Sequence, residues 1–151
     1  ESGRNTTSLM FGVQWDLVLK YLETKGATQA ELNSDSTSWG NYQTNLWNIT
    51  NINSKYSVNG GVNWTSEAYG KKTSNSGILL STGASDTFSK QGIYDLAGNV
   101  YEWTLEYTSS TSEPCSCRGS SYFHDGASAR IRYYCNATFY YNDVGFRITL
   151  Y

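Results

Sequence analysis

The sequence predicts an α+β fold that is rich in loops, with one helix and a set of short antiparallel strands. Three observations carry that prediction. Residues 12–25 hold the one sustained helical spacing: Val13, Leu17, Val18, Tyr21 and Leu22 fall on one face, and Gly26 follows as a natural stop. The other apolar runs are strand-sized and bounded by turn formers. The composition combines 14 Gly, 13 Tyr and 5 Trp with a single Pro, which suits turns and small strands pinned by aromatic anchors.

In chain order, residues 1–8 are polar and are expected to be a frayed end or linker. Residues 9–151 have the length of one domain. After the helix, a short helical turn is expected around Ala27–Leu32. Residues 33–77 are rich in Asn, Ser, Thr and Gly but carry Trp39, Trp47 and Trp64, which a low-complexity linker would lack; they read as ordered and irregular. Ile78-Leu79-Leu80 is a strand candidate and Gly83–Asp86 a turn. Gly92–Thr104 organises the chain. Its anchors are Ile93, Leu96, Val100 and Trp103, its turn pair is Gly98-Asn99, and its oxygen-bearing side chains are Asp95, Asn99 and Glu102. Such a turn either closes around a hard cation or is held by its own Asx hydrogen bonds. Val100–Tyr107 reads as a strand and Val144–Tyr151 as the last one. There is no internal repeat.

Bulk properties exclude several classes. Eleven basic against thirteen acidic residues leave a net charge of −2, which argues against a nucleic-acid partner. No apolar run reaches the roughly 18 residues of a membrane span, and no leader is visible. His124 is the lone histidine, so a His-rich zinc site is excluded; no nucleophile elbow, P-loop or Rossmann fingerprint occurs. Of three cysteines, Cys115 and Cys117 are too close in sequence to pair without strain. Either Cys135 pairs with one of them or all three are free, and the count does not fix the redox compartment.

The stretch Gly92-Ile-Tyr-Asp-Leu-Ala-Gly-Asn-Val-Tyr-Glu-Trp-Thr104 resembles the GLYDMVGNVWEWT signature of the formylglycine-generating-enzyme (sulfatase-modifying factor) domain, a variant of the C-type lectin fold. Further landmarks follow in the family's order. Leu9–Asp16 resembles its LPTEAEWE helix start, Trp39-Gly40-Asn41 its PWGN turn, and Asn45-Leu46-Trp47 its ANIW-type segment. Arg118-Gly119-Ser120-Ser121 resembles its RGGSW, and Val144-Gly145-Phe146-Arg147 its closing GFR. In that family an earlier part of the domain precedes the helix, so residues 9–151 would be a C-terminal part or a reduced form.

The resemblance implies a structural calcium held by the side chains of Asp95 and Glu102 and the carbonyls of Gly98 and Val100. It also implies where catalysis would sit. The family oxidises a substrate cysteine with two cysteines, four residues apart, that hold copper(I) between the RGGS and GFR landmarks. This chain has only Cys135 there, so no copper and no enzyme activity are expected.

The C-terminal segment has an unusual alphabet. Residues 115–151 contain no Lys, Gln, Glu, Met or Trp, whereas residues 1–114 contain twenty-three. Chance would give this roughly once in 4,000 draws from the same pool, and these types are ordinarily common. None of the five has a codon ending in C. A diversity-generating retroelement, which randomises adenines at AAC-type codons, cannot produce them, and its known targets carry a variable C-terminus on a lectin-like domain of this family. Residues 118–147 resemble such a region. Ser121, Tyr122, Phe123, His124, Asp125, Ile131, Tyr133, Cys135, Phe139, Tyr141, Asn142 and Asp143 are its candidate ligand-binding residues. Tyrosine offers large contact area at low entropic cost. The alternatives are a lectin-like module of fixed specificity and an oxidase homologue with displaced cysteines. The variable-protein reading implies a protein or glycan receptor on a cell surface, display on a virion tail or bacterial surface, and room for a homo-oligomer.

Overall fold

The computed structural model describes residues 6–150. In chain order they form β1 (Thr7–Leu9), α1 (Gly12–Thr24), α2 (Gln29–Asn33), β2 (Trp47–Ile49), β3 (Tyr56–Ser57), β4 (Gly70–Lys72), β5 (Leu79–Leu80), β6 (Ser89–Lys90), β7 (Ile93–Tyr94), β8 (Tyr101–Tyr107), β9 (Cys115–Arg118), β10 (Arg132–Cys135), β11 (Val144–Phe146) and β12 (Ile148–Leu150). The α+β class is as expected.

Helix α1 occupies the predicted residues but its buried face overlaps the predicted stripe only at Leu22 and the half-buried Val18. Trp15, Leu19 and Leu22 point inward, while Val13 and Leu17 are 66% and 62% exposed and Tyr21 also faces solvent. Counting apolar residues set the stripe off-centre, because one indole outweighs several smaller side chains in buried area. Trp15 is fully buried and its Nε1 donates to the Ala129 carbonyl at 3.0 Å. Around it pack Met10, Leu32, Trp39, Tyr42 and Leu96. The helix ends as predicted at Gly26, whose φ of +99° suits glycine. The following helical turn starts two residues late, at Gln29. Thr28 caps it, its hydroxyl accepting from Glu31 N–H while Glu31 Oε2 accepts from Thr28 N–H at 2.8 Å.

The main sheet has the order β10-β9-β8-β11. Its first three strands are antiparallel, but β11 lies parallel to β8, with Val144 opposite Tyr101 and Phe146 opposite Trp103. That pair departs from the all-antiparallel expectation, because the chain returns to β8 from the far side after β10. Strand β1 pairs with β12, so Thr7 and Ser8 are ordered rather than frayed. The expectations for residues 1–5 and Tyr151 lie outside the described residues.

A second, smaller core sits under residues 47–88. Trp47 meets Tyr69 and Phe88 edge-on, at centroid distances of 5.3 and 6.2 Å, with Ile49, Ile78 and Leu80 around them. Trp39 and Trp47 are the buried anchors expected of this irregular stretch; Trp64 is not, being 45% exposed. Lys72 is buried beneath Trp47, its Nζ donating to the Tyr42 carbonyl at 2.7 Å.

Candidate functional site

The turn at Asp95–Asn99 couples the two cores. Asp95, Gly98 and Asn99 all have positive φ, of 53°, 67° and 62°. At Gly98 a Cβ would stand 2.4 Å from the Asn41 carbonyl oxygen, so glycine is required there for space as well as for conformation. Asn99 is buried and acts as a surrogate strand edge. Its Oδ1 accepts from Leu80 N–H at 3.1 Å and its Nδ2 donates to the Leu80 carbonyl at 3.0 Å. Asn41 joins by donating to Asn99 Oδ1 at 3.1 Å and to the Ile78 carbonyl at 2.7 Å, and Trp47 Nε1 donates to Asn41 Oδ1 at 3.1 Å.

Asp95 and Glu102, the two predicted side-chain metal ligands, are both buried and share the neighbourhood of one guanidinium. Arg147 donates to both Glu102 oxygens, at 2.7 and 2.8 Å, and to the Tyr94 carbonyl at 3.0 Å. Asp95 Oδ2 accepts from Gly83 N–H at 2.8 Å, while its Oδ1 is buried without a partner. Burial pushes the Asp95 carboxyl up to about 6, and it raises Glu102 against the opposing pull of Arg147. Calcium takes about six to eight oxygens. In this arrangement one free carboxylate oxygen remains beside a guanidinium, which does not fit a calcium cage unless Arg147 moves. Gly98 and Val100 border the same turn. Among the described residues, no group of three or more His, Cys, Asp and Glu is placed to hold a metal ion.

The Arg118 landmark is also structural. Its side chain is fully buried over the Trp15 ring and pairs with Asp16 at 2.5 Å and Glu106 at 3.0 Å. Arg132 bonds the other oxygens of the same two acids, at 2.5 and 2.6 Å, closing a four-membered charge ring between α1, β8, β9 and β10.

The predicted ligand-binding residues divide into two groups. His124, Tyr133, Tyr141 and Asp143 converge on a cleft of about 180 Å³, with Tyr101 as a wall. Tyr133 stacks on Tyr101 at 5.2 Å, and His124 meets Tyr101 edge-on at 5.4 Å. Asn142 lines an adjoining open groove of about 400 Å³ with Trp64, Tyr140 and Tyr141. Phe123, Asp125 and Phe139 are exposed, and Tyr140 is 90% exposed. By contrast Ser121 and Tyr122 are buried and line neither groove, while Cys135 is buried but borders the cleft. Ser121 Oγ donates to Asp143 Oδ2 at 2.8 Å, Tyr122 packs its ring on Phe123 at 4.2 Å, and Ile131 packs beside Cys117 and Cys135. Alternation along a segment of mixed loop and strand was not readable as inward or outward. Trp64 and Tyr101 were missed; Trp64 stands just after Gly60-Gly61, a tight turn that turns a large side chain outward.

Cys117 and Cys135 form a disulfide, and Cys115 is free and half-buried. That selects one of the pairings left open by the sequence. In this pairing Cys135 lies beside both other cysteines.

Among the described residues, no helix is long and apolar enough to cross a membrane. No curated protein and no solved structure matches the chain significantly. The model of the sulfatase-modifying factor enzyme 1-like domain matches residues 10–150. That match spans the helix, the Gly92–Thr104 turn, the buried Arg118 ring and the Arg147 pair, and the chain belongs to this family.

Proposed function

We propose that this domain is a non-enzymatic binding module that engages a protein or glycan receptor through its C-terminal aromatic face. The observation that carries the reading is a pair of adjoining aromatic grooves, one lined by Tyr101, Tyr133 and Tyr141 and the other by Trp64, Tyr140 and Tyr141, with Phe123, Tyr134 and Phe139 also exposed. A rigid scaffold holds that face, which limits the ordering cost of association. Aromatic side chains of this kind dominate binding energy at interfaces. The finer part of the proposal is that residues 118–147 are diversified by a retroelement and displayed on a virion tail or bacterial surface; it rests on the restricted alphabet of residues 115–151. Sequencing the 3′ end of the gene across a natural population tests it. Substitutions confined to those codons and matched to a nearby template repeat support diversification. A uniform 3′ end leaves a module of fixed specificity.

One observation favours a second reading, that of an oxidase homologue: family membership together with Cys117 and Cys135 at bonding distance. Incubating the reduced protein with copper(I), dissolved oxygen, a thiol reductant and cysteine-containing peptides tests it, the oxygen serving as oxidant and the sulfur leaving as sulfide. Aldehyde formation detected by mass spectrometry supports the oxidase, and unmodified peptide removes it. A calcium at Asp95 and Glu102 remains a proposal that requires Arg147 to leave Glu102. A rise in melting temperature on calcium addition supports it, and an unchanged melting temperature opposes it.

A further inference from the structure

The three cysteines lie on one face of one strand pair, and their register is informative. In the β9–β10 ladder Cys135 stands directly opposite Cys115, while Cys117 stands opposite Tyr133. Yet the disulfide joins Cys135 to Cys117, across the diagonal, with Cα atoms 6.1 Å apart. Cys115 and Cys117 are two residues apart on β9 and therefore project to the same side. Directly opposed residues in an antiparallel pair have Cα atoms about 4.5–5.5 Å apart. A disulfide spans about 4.4–6.8 Å. Cys135 is thus within bonding separation of two alternative partners, and the unused one carries a free thiol.

We infer that Cys115 is a resident thiol that exchanges with the Cys117–Cys135 disulfide. The Cys115 thiolate attacks Cys135 Sγ, the bond between Cys135 and Cys117 breaks, and Cys117 leaves as a thiolate that takes up a proton. One S–S bond forms and one breaks, so no oxidant or reductant is consumed. The two isomers differ in where the thiol resides: at half-buried Cys115, or at Cys117, which is fully buried beneath the sheet. A thiol reagent in solution therefore meets an accessible target in one isomer only, so the exchange protects or presents a modification site. This inference is independent of the binding reading.

The test is to hold the purified full chain at pH about 8, near the ordinary thiol pKa, without added redox agents. It is then quenched in acidic guanidinium containing a maleimide, and the alkylated cysteine is located by fragmentation between Cys115 and Cys117. Label at both positions, with one label per chain, is the expected result; label at Cys115 alone overturns the inference. The Cys117→Ser variant, oxidised in a glutathione buffer, is expected to form Cys115–Cys135 and titrate with no free thiol. Two free thiols in a chain with native circular dichroism overturn the inference independently. If that variant does not fold, the wild-type label position decides alone.

Discussion

Replacing Asn99 by alanine isolates the clamp between the central turn and β5. The change removes the acceptor for Leu80 N–H, the donor for the Leu80 carbonyl and the bond from Asn41, which retains the Ile78 carbonyl. The site is buried, so water does not substitute. Two orphaned backbone groups cost about 1–3 kcal/mol each. Alanine at the φ of 62° adds about 1 kcal/mol. The expected loss is therefore about 3–7 kcal/mol, a large part of the roughly 5–15 kcal/mol that keeps a domain folded. Asn99→Gly loses the same hydrogen bonds but not the backbone strain, and should be less destabilised than Asn99→Ala by about 1 kcal/mol. Urea unfolding followed by tryptophan fluorescence, with the disulfide intact, gives both values by linear extrapolation. A loss below about 1 kcal/mol for Asn99→Ala refutes the clamp. A glycine variant no better than the alanine variant refutes the strain argument.

Arg147→Met leaves Glu102 and Asp95 buried without their counter-cation and is expected to cost about 3–5 kcal/mol at neutral pH, measured by the same unfolding titration. Lys72 is buried, and burial lowers its pKa from 10.5 to about 8. The native state thus binds fewer protons than the unfolded chain between those values. The cost of the buried ammonium is fully present below pH 8 and is relieved as pH rises toward 10.5, by up to about 3 kcal/mol. The stability difference between wild type and Lys72→Met across that window checks it. Phe139→Ala and Tyr140→Ala remove exposed side chains and should change stability by less than about 0.5 kcal/mol. If these residues serve a receptor, capture of that receptor in surface plasmon resonance should fall by tenfold or more for at least one of them.

The helix, the central turn and the strands at 79–80 and 101–107 were legible because each is encoded locally, by spacing, turn residues or a short apolar run. The face of α1 was not, because Trp15 finds its partners at Leu96 and Ala129, far away in sequence. The same limit applies to the charge ring. Asp16, Glu106, Arg118 and Arg132 come from four elements and carry no shared motif. In the site, residue type pointed to an aromatic face, and His124, Tyr133, Tyr141 and Asp143 do converge. The burial of Ser121 and Tyr122 was not readable, since they follow the left-handed Gly119-Ser120 corner that turns the chain back into the core. For the metal, Asp95 and Glu102 were found from their oxygens, but Arg147 lies 45 residues beyond Glu102 and nothing local links them.

The pairing of Thr7 with Leu150 and of Leu9 with Ile148 has a consequence for biosynthesis. Strand β1 is made well before the strand it pairs with. No native partner for β1 exists until residues about 140 positions downstream have been made, and such distant pairing slows folding. During that interval Thr7–Leu9 presents a bare strand edge to any neighbouring chain. A polypeptide that lacks residues 148–150 would keep that edge open, so a change in β12 would be felt about 140 positions upstream, at β1.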